Sequence, residues 1–375
     1  MLDTVILQFD PNQYHIEKYE NFNTTKELVL NSRGSFKKWT NNRTAEDKRN
    51  DIYKPRLTLI KRGMIVFLKV EFSAPKLIFG NNVDELEDKD FNLAVEKLRE
   101  KIKSMGVQIW SKHIEEAKVI SFHSSKNIIL KNGYTSNFAI RELNKIDCSK
   151  RFDFDEKNYR NNGQVLQFYT NSHSLVIYDK ITDLSKPPKR AVDKNQAKQQ
   201  LSIFNFIKDN NLRIELLRIE VRLSSKKKMS AVLKEIGHMP EPKFKDIFKK
   251  DLCQKIVKLY WETFFTDNQF IFNMSNDAQK ILQLILMKYP KAKRHQAYKL
   301  TGIFMLCKAT EGIRGFRQII DNHYSKTNWA VAKKDLRLFE DEIFTNSSWG
   351  FINDIKQQIN TFNSFKFKDL PCKEK

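Results

Sequence analysis

The chain has 375 residues, 40% of them hydrophobic and 12% aromatic, and carries a formal net charge of +22. This composition excludes a disordered chain and allows two or three domains with real cores. The surplus charge points to a polyanionic partner, nucleic acid first, and not to a membrane, because no apolar run of 18 or more residues and no lone basic amphipathic helix is present.

The opening "MLDTVILQF" starts with an acid and alternates like a strand, without the basic region or cleavage site of a signal peptide. Cys148, Cys253, Cys307 and Cys372 are far apart and form no CxxC pair. A zinc ribbon is therefore disfavoured, and a reducing cytoplasm is the expected setting.

In chain order, "TVILQF" (4–9) predicts a strand. "RLTLI" (56–60) and "MIVFLKVEF" (64–72) predict a hairpin turning at Lys61-Arg62-Gly63. Residues 88–106 place Phe91, Leu93, Ala94, Val95, Leu98 and Ile102 at helical spacing, with Gly106 as the stop. "KVISFHSS" and "NIILKNG" read as a further strand pair, and "NKIDCSKRF" (144–152) as a strand. "QVLQFYT" and "HSLVIYDK" (164–180) read as a hairpin, and "LLRIEVRLS" (216–224) as one more strand. The basic segment "SKPPKRAVDKNQAKQQ" opens with Pro187-Pro188 and reads as a loop that runs into a helix near Lys194. From about residue 229 apolar residues recur at three- and four-residue steps, which predicts helices to the end of the chain. The expected class is α+β: an amino-terminal α+β unit (1–140), a second α+β unit (141–228) and a helical domain of winged-helix type (229–375).

The two α+β units rhyme. Asp3 and Glu71 stand in strands of the first much as Asp147 and Glu220 stand in strands of the second, which suggests an old duplication. Strands that end in a charged residue are common, and that is the plainer reading.

In "LLRIEVRLS", Leu217, Ile219, Val221 and Leu223 point one way and Arg218, Glu220 and Arg222 the other. A surface salt-bridge ladder explains such a row. A row of site residues explains it equally, because the protein is strongly basic and Glu220 sits between two arginines. Asp147 and Glu220 on neighbouring strands could share a divalent cation, and carboxylate oxygens suit Mg²⁺ or Mn²⁺. In "HSLVIYDK", Tyr178 and Lys180 share a face. A phenol ionises near pH 10, so it needs a nearby cation to attack at neutral pH. Tyr169 is the nearest rival nucleophile but lacks an adjacent lysine, and Tyr53 is the candidate counterpart in the first unit. Lys226-Lys227-Lys228 reads as a solvated helix start unless it flanks the site. Trp261, Trp329 and Trp349 read as core, and His113, His123, His238, His295 and His323 share no spacing.

The ordered set "KID", "QVLQFYTNSHSLVIYDK" and "LLRIEVRLS" resembles the phage and plasmid rolling-circle replication initiators, above all the filamentous-phage gene II protein family. "MLDTVILQF" and "VEFSAPKLIFGNNVDELEDKDFNLAVEKL" are similar to that family's amino-terminal region, with Gly80-Asn81-Asn82 where Gly-His-Asn is typical. The tail from "AYKLTGIFMLCKATEGIRGF" is a looser match. The resemblance implies Rep-nickase-like sheet units, Tyr178 as nucleophile assisted by Lys180, and Asp147 and Glu220 as metal-holding acids. Lys145 stands where an arginine is usual. Many related nickases hold metal with a His-hydrophobic-His pair, absent from this chain, so the implied site rests on carboxylates, with His173 as a further candidate or a plain turn residue. Arg218, Arg222, Lys189 and Arg190 are the candidate DNA contacts.

The expected activity is a site-specific nick at a replication origin, leaving a 5′-phosphotyrosyl link and a free 3′-OH, followed by rejoining. The implied partners are origin DNA, a host helicase and a polymerase in a bacterial cytoplasm. A conjugative mobilisation relaxase and a non-catalytic initiator that binds origin repeats are the alternatives.

Overall fold

Alternation of apolar and polar residues builds one large antiparallel sheet at the centre of the computed structural model. The structure describes residues 1–24, 29–31, 34–146, 156–160, 164–185, 205–207, 214–265, 277–310, 312–323, 329, 331–332, 334–335 and 350–369. The strands are β1 (Leu2–Phe9), β2 (His15–Ile16), β3 (Asn23–Thr24), β4 (Val29–Asn31), β5 (Gly34–Asn41), β6 (Arg56–Arg62), β7 (Ile65–Ser73), β8 (Val107–Gln108), β9 (Lys118–Ile129), β10 (Glu156–Arg160), β11 (Val165–Tyr169), β12 (His173–Asp179) and β13 (Leu216–Leu223). The sheet runs β10-β11-β12-β13-β9-β1-β7-β6-β5-β3, with β4 on β5, while β2 and β8 pair separately. Mixed α and β structure around an antiparallel sheet is as expected.

The β6–β7 hairpin closes with Arg62 opposite Ile65, and Gly63 takes the positive φ of 58° that this tight turn needs. One face of the sheet is apolar. Leu7, Val70, Phe72, Phe122, Leu175, Ile177, Ile219 and Val221 are fully buried on it. Each such side chain contributes about 1.5–3 kcal/mol on leaving water. Helices Ser136–Asn144, Lys226–Glu235, Lys250–Phe265 and Gly350–Thr361 pack against the strands. Phe72 meets Phe244 at 5.7 Å and Phe168 meets Phe264 at 4.8 Å between ring centroids, holding helices onto the sheet.

Three expectations need correction. "KVISFHSS" and "NIILKNG" are not a strand pair but the single strand β9, held by unbroken pairing to β13 from Leu216↔Ile129 to Leu223↔Phe122. Asn144 does not open a strand; it ends helix Ser136–Asn144, which starts where the Thr135 hydroxyl accepts from Phe138 N at 3.1 Å and which buries Ala139, Ile140 and Leu143. Residues 147–155 lie outside the described residues. The expected boundaries at 140 and 229 do not part the core either. β9 pairs with β1 on one side and β13 on the other, and Leu252, Ile256, Phe351 and Ile355 share one apolar cluster with the sheet. A second cluster gathers Ile281, Ile285, Leu300, Phe304, Cys307, Phe316 and Trp329 from the helices beyond residue 277. No helix among the described residues is long and apolar enough to cross a membrane.

Candidate active site on the polar sheet face

The face opposite the helices carries polar side chains, and pairing decides which of them meet. On β13, Arg218, Glu220 and Arg222 are paired to Tyr178, Val176 and Ser174 of β12 on one side, and to Asn127, Ser125 and His123 of β9 on the other. Tyr178 is therefore a diagonal neighbour of Glu220 on the same face, within reach of a long side chain. Its hydroxyl donates to Glu220 Oε2 at 3.2 Å. Glu220 Oε1 accepts from Arg222 Nε at 2.8 Å and lies 3.0 Å from His123 Nδ1.

Burial works against charge on Glu220, yet Arg222, His123 and Arg218 together hold its carboxyl well below the usual carboxylate range. For Tyr178 burial dominates. Arg218 opposes it, Glu220, Asp183 and Asp3 reinforce it, and the phenol ends well above its ordinary value of 10. At neutral pH the phenol is thus a neutral donor to an ionised acceptor.

The Asp-Lys pair that follows Tyr178 has separate duties. Asp179 accepts from Thr182 N at 3.1 Å and from the Thr182 hydroxyl, which turns the strand into helix Lys180–Ser185. Lys180 turns inward and is fully buried. Its ammonium donates to Asn82 Oδ1 at 2.9 Å, lies 3.7 Å from Asp183, and stands 5.7 Å from the centre of the Tyr178 ring. Burial first, then Arg218, lowers the Lys180 pKa to about 8.

Arg218 serves the fold. It is 1% exposed, pairs with Asp3 at 3.0 Å, donates to Ser125 Oγ at 2.8 Å and donates to the Asn82 carbonyl. Its guanidinium is thus enclosed by protein partners, where a surface contact to DNA was expected. His173 also departs from expectation. The odd residues of β12 face the helices, so His173 is buried in the core, with Nδ1 2.6 Å from the Tyr260 hydroxyl. It is neither a turn residue nor a ligand on the polar face. Tyr53, the candidate degenerate counterpart, accepts from Ser73 N at 2.6 Å through its hydroxyl.

Of the expected site residues, Tyr178, Lys180, Glu220 and Arg222 come together. Asp147, Lys189 and Arg190 lie outside the described residues. Three contributors were missed. His123 becomes visible only once β9 is read as one alternating strand. Asn82, in the Gly80-Asn81-Asn82 segment, touches both Lys180 and Arg218. Asp3 anchors Arg218.

Among the described residues no three His, Cys, Asp or Glu side chains form a metal cluster. Glu220 is nevertheless an oxygen donor of the type that suits Mn²⁺ or Mg²⁺, whereas the His123 imidazole beside it suits softer transition ions. Arg222 is only partly buried and would have to release Oε1 for a cation to bind there.

No family model, curated protein or solved structure matches this chain.

Proposed function

We propose that this protein initiates rolling-circle DNA replication by cutting one strand at an origin, with Tyr178 as the nucleophile. The observation that carries the reading is the Tyr178 hydroxyl hydrogen-bonded to the ionised Glu220 on the polar side of a strongly basic protein. The ordered likeness to the gene II protein family supports the same reading.

The chemistry is one transesterification. Tyr178 Oη attacks phosphorus in line, a P–O bond to the phenol forms, and the P–O3′ bond breaks. The phenol proton passes to Glu220, and the departing 3′ oxygen takes a proton from solvent to become the 3′-OH. A scissile phosphate near this face gives Arg222 a second anion to bind. When the guanidinium turns to the phosphate, Glu220 loses its strongest counter-charge and becomes a better proton acceptor. Lys180 offsets negative charge as it develops on the phenol oxygen. A divalent ion, held in this reading by Asp147 and by the Glu220 oxygen that Arg222 releases, would polarise the phosphate, and with that ion bound the phenol proton passes to solvent instead of to Glu220. Rejoining is the reverse reaction.

A two-unit Rep-like architecture belongs to the same proposal. Outward from the central pair β9–β1, the orders β13-β12-β11 and β7-β6-β5 correspond, and Glu220 on β13 matches Glu71 on β7. Glu71 faces Arg56 and Glu220 faces Val176, so two residues further along Thr58 stands where Tyr178 does. The first unit thus lacks the nucleophile. The helices Ala278–Lys288, Arg294–Ala309 and Ile313–His323, which share the second apolar cluster, would form the winged-helix part.

The test uses supercoiled plasmid carrying the replicon's own origin, with Mg²⁺ or Mn²⁺, read on a denaturing gel. A protein–DNA adduct on the 5′ side of the nick is expected, and Tyr178→Phe should lower it by at least about 10³-fold. Equal adduct from the variant removes Tyr178 as nucleophile. Tight binding with no adduct from either protein points to the non-catalytic initiator.

A further inference from the structure

The polar face continues past the site, across β1 into β7, β6 and β5. Ile6 pairs with Ser121 and Glu71, which puts Glu71 and Lys69 on the side that carries His123 and Glu220. Ile60 pairs with Lys38 and Phe67, and Arg62 with Ile65, so Lys38, Arg62, Phe67 and Lys69 share that face. Their neighbours Leu59, Leu68 and Val70 are buried on the other. Lys38, Phe67 and Lys69 are half-buried, and Arg62 is exposed.

This end of the sheet gathers cations. Burial and then Arg62, Lys38 and Lys226 depress the Lys69 ammonium, with Glu71 opposing them. Lys226 opens helix Lys226–Glu235, whose first turn is Lys226-Lys227-Lys228 with no acid, and where Ser225 Oγ accepts from Lys228 N at 3.2 Å. A helix start favours anions, and lysines in its first turn add to the positive field that a polyanion would meet there. Apolar surface sits among the cations: the Phe67 ring, Ile65 at 49% exposure and, at the turn, Met64 at 94%. Ile60 and Thr58 are buried beneath these larger side chains, and cations beside an aromatic at the surface of a sheet suit a single strand, whose phosphates take the charges while its bases stack.

We propose that the polar face of β5, β6 and β7 is a track for single-stranded DNA, in which Lys38, Arg62, Lys69 and Lys226 contact phosphates and Phe67 stacks a base. The inference takes its polymer from the function proposed above but does not depend on Tyr178 as nucleophile.

The test is fluorescence anisotropy with a labelled 30-nucleotide oligo(dT), titrated over a range of KCl concentrations. The variant is Lys38→Gln/Arg62→Gln/Lys69→Gln, and its control is Lys97→Gln/Lys103→Gln/Lys112→Gln, which removes equal charge from the helical side. The track variant should bind at least about tenfold more weakly at low salt, and its log–log salt slope should shrink by roughly 2, at about 0.7 per lost phosphate contact. Arg62→Gln alone, at an exposed position, should reduce the slope by roughly 0.7 even if the triple variant fails to fold. An unchanged slope, an equal loss in the control, or a loss confined to duplex of the same length overturns the proposal. A chain that makes no adduct yet loses binding in the track variant separates failure of the nickase reading from failure of this one.

Discussion

The Tyr178 hydroxyl donates to Glu220 Oε2 at 3.2 Å, although the two residues lie on different strands and 42 positions apart. The bond joins a phenol that burial keeps neutral to a carboxylate that its neighbours keep charged. It orients the hydroxyl toward the carboxylate. Four expectations follow from this pair and from the sheet that carries it.

Glu220→Gln should nearly abolish adduct formation and destabilise the protein by about 2 kcal/mol. This is less than the about 3–5 kcal/mol for breaking a fully buried pair, because Arg222 can turn to solvent. The sign with pH is fixed by the lowered carboxyl. Its stabilisation is present above the unfolded value near 4.3 and is lost as pH falls towards the lower folded value. Urea denaturation at neutral pH should show the full difference between wild type and variant, and below about pH 4 the gap should narrow. A gap that widens with acid would contradict the charged state assigned to Glu220.

Lys180 carries the opposite linkage. Its pKa is lowered to about 8 from 10.5, so between those values the folded state holds fewer protons than the unfolded one, and stability rises with pH. The gain across the window should be on the order of 3 kcal/mol, and Lys180→Met should remove it. The same deprotonation removes the cation beside the phenol, so adduct formation should decline above about pH 8. Thermal melts and single-turnover rates over pH 7–10 check both halves of the expectation.

Arg218 and Asp3 form a structural pair. Arg218→Met alone should cost about 3–5 kcal/mol because it strands a buried carboxylate. Asp3→Asn with Arg218→Met should cost less than the sum of the single changes, with a coupling of about 1–3 kcal/mol in urea denaturation. Wherever Arg218→Met remains folded, its salt slope for oligonucleotide binding should match wild type. A smaller slope would return Arg218 to the list of phosphate contacts.

Tyr260→Phe should cost about 1–3 kcal/mol by removing the hydroxyl that lies 2.6 Å from buried His173 Nδ1. The dependence of adduct formation on Mn²⁺ concentration should not move. A shift in the metal requirement would mean that His173 reaches the polar face after all.

Strand identity and sidedness were legible before folding. "LLRIEVRLS" and "HSLVIYDK" alternate strictly, and a period of two decides which side chains share a face whatever the strand pairs with. This is why Tyr178, Glu220 and Arg222 could be assigned to one side. The same rule sends His173 to the other side with Leu175 and Ile177, where it is buried.

Which strands lie together was not legible, and pairing decided the rest. Local pattern says nothing about β9 passing between β1 and β13, so His123 looked unrelated to Glu220 until registration set it against Arg222. Arg218 reads as a surface charge, but Asp3 and Asn82, from far earlier in the chain, close over it. The helices after residue 229 read as a separate body, yet those near Leu252 and Phe351 complete the apolar layer under the sheet. Side-chain direction repeats every two or 3.6 residues and is written locally. Burial and charge pairing depend on contacts between segments distant in the chain, and those exist only once the sheet has formed.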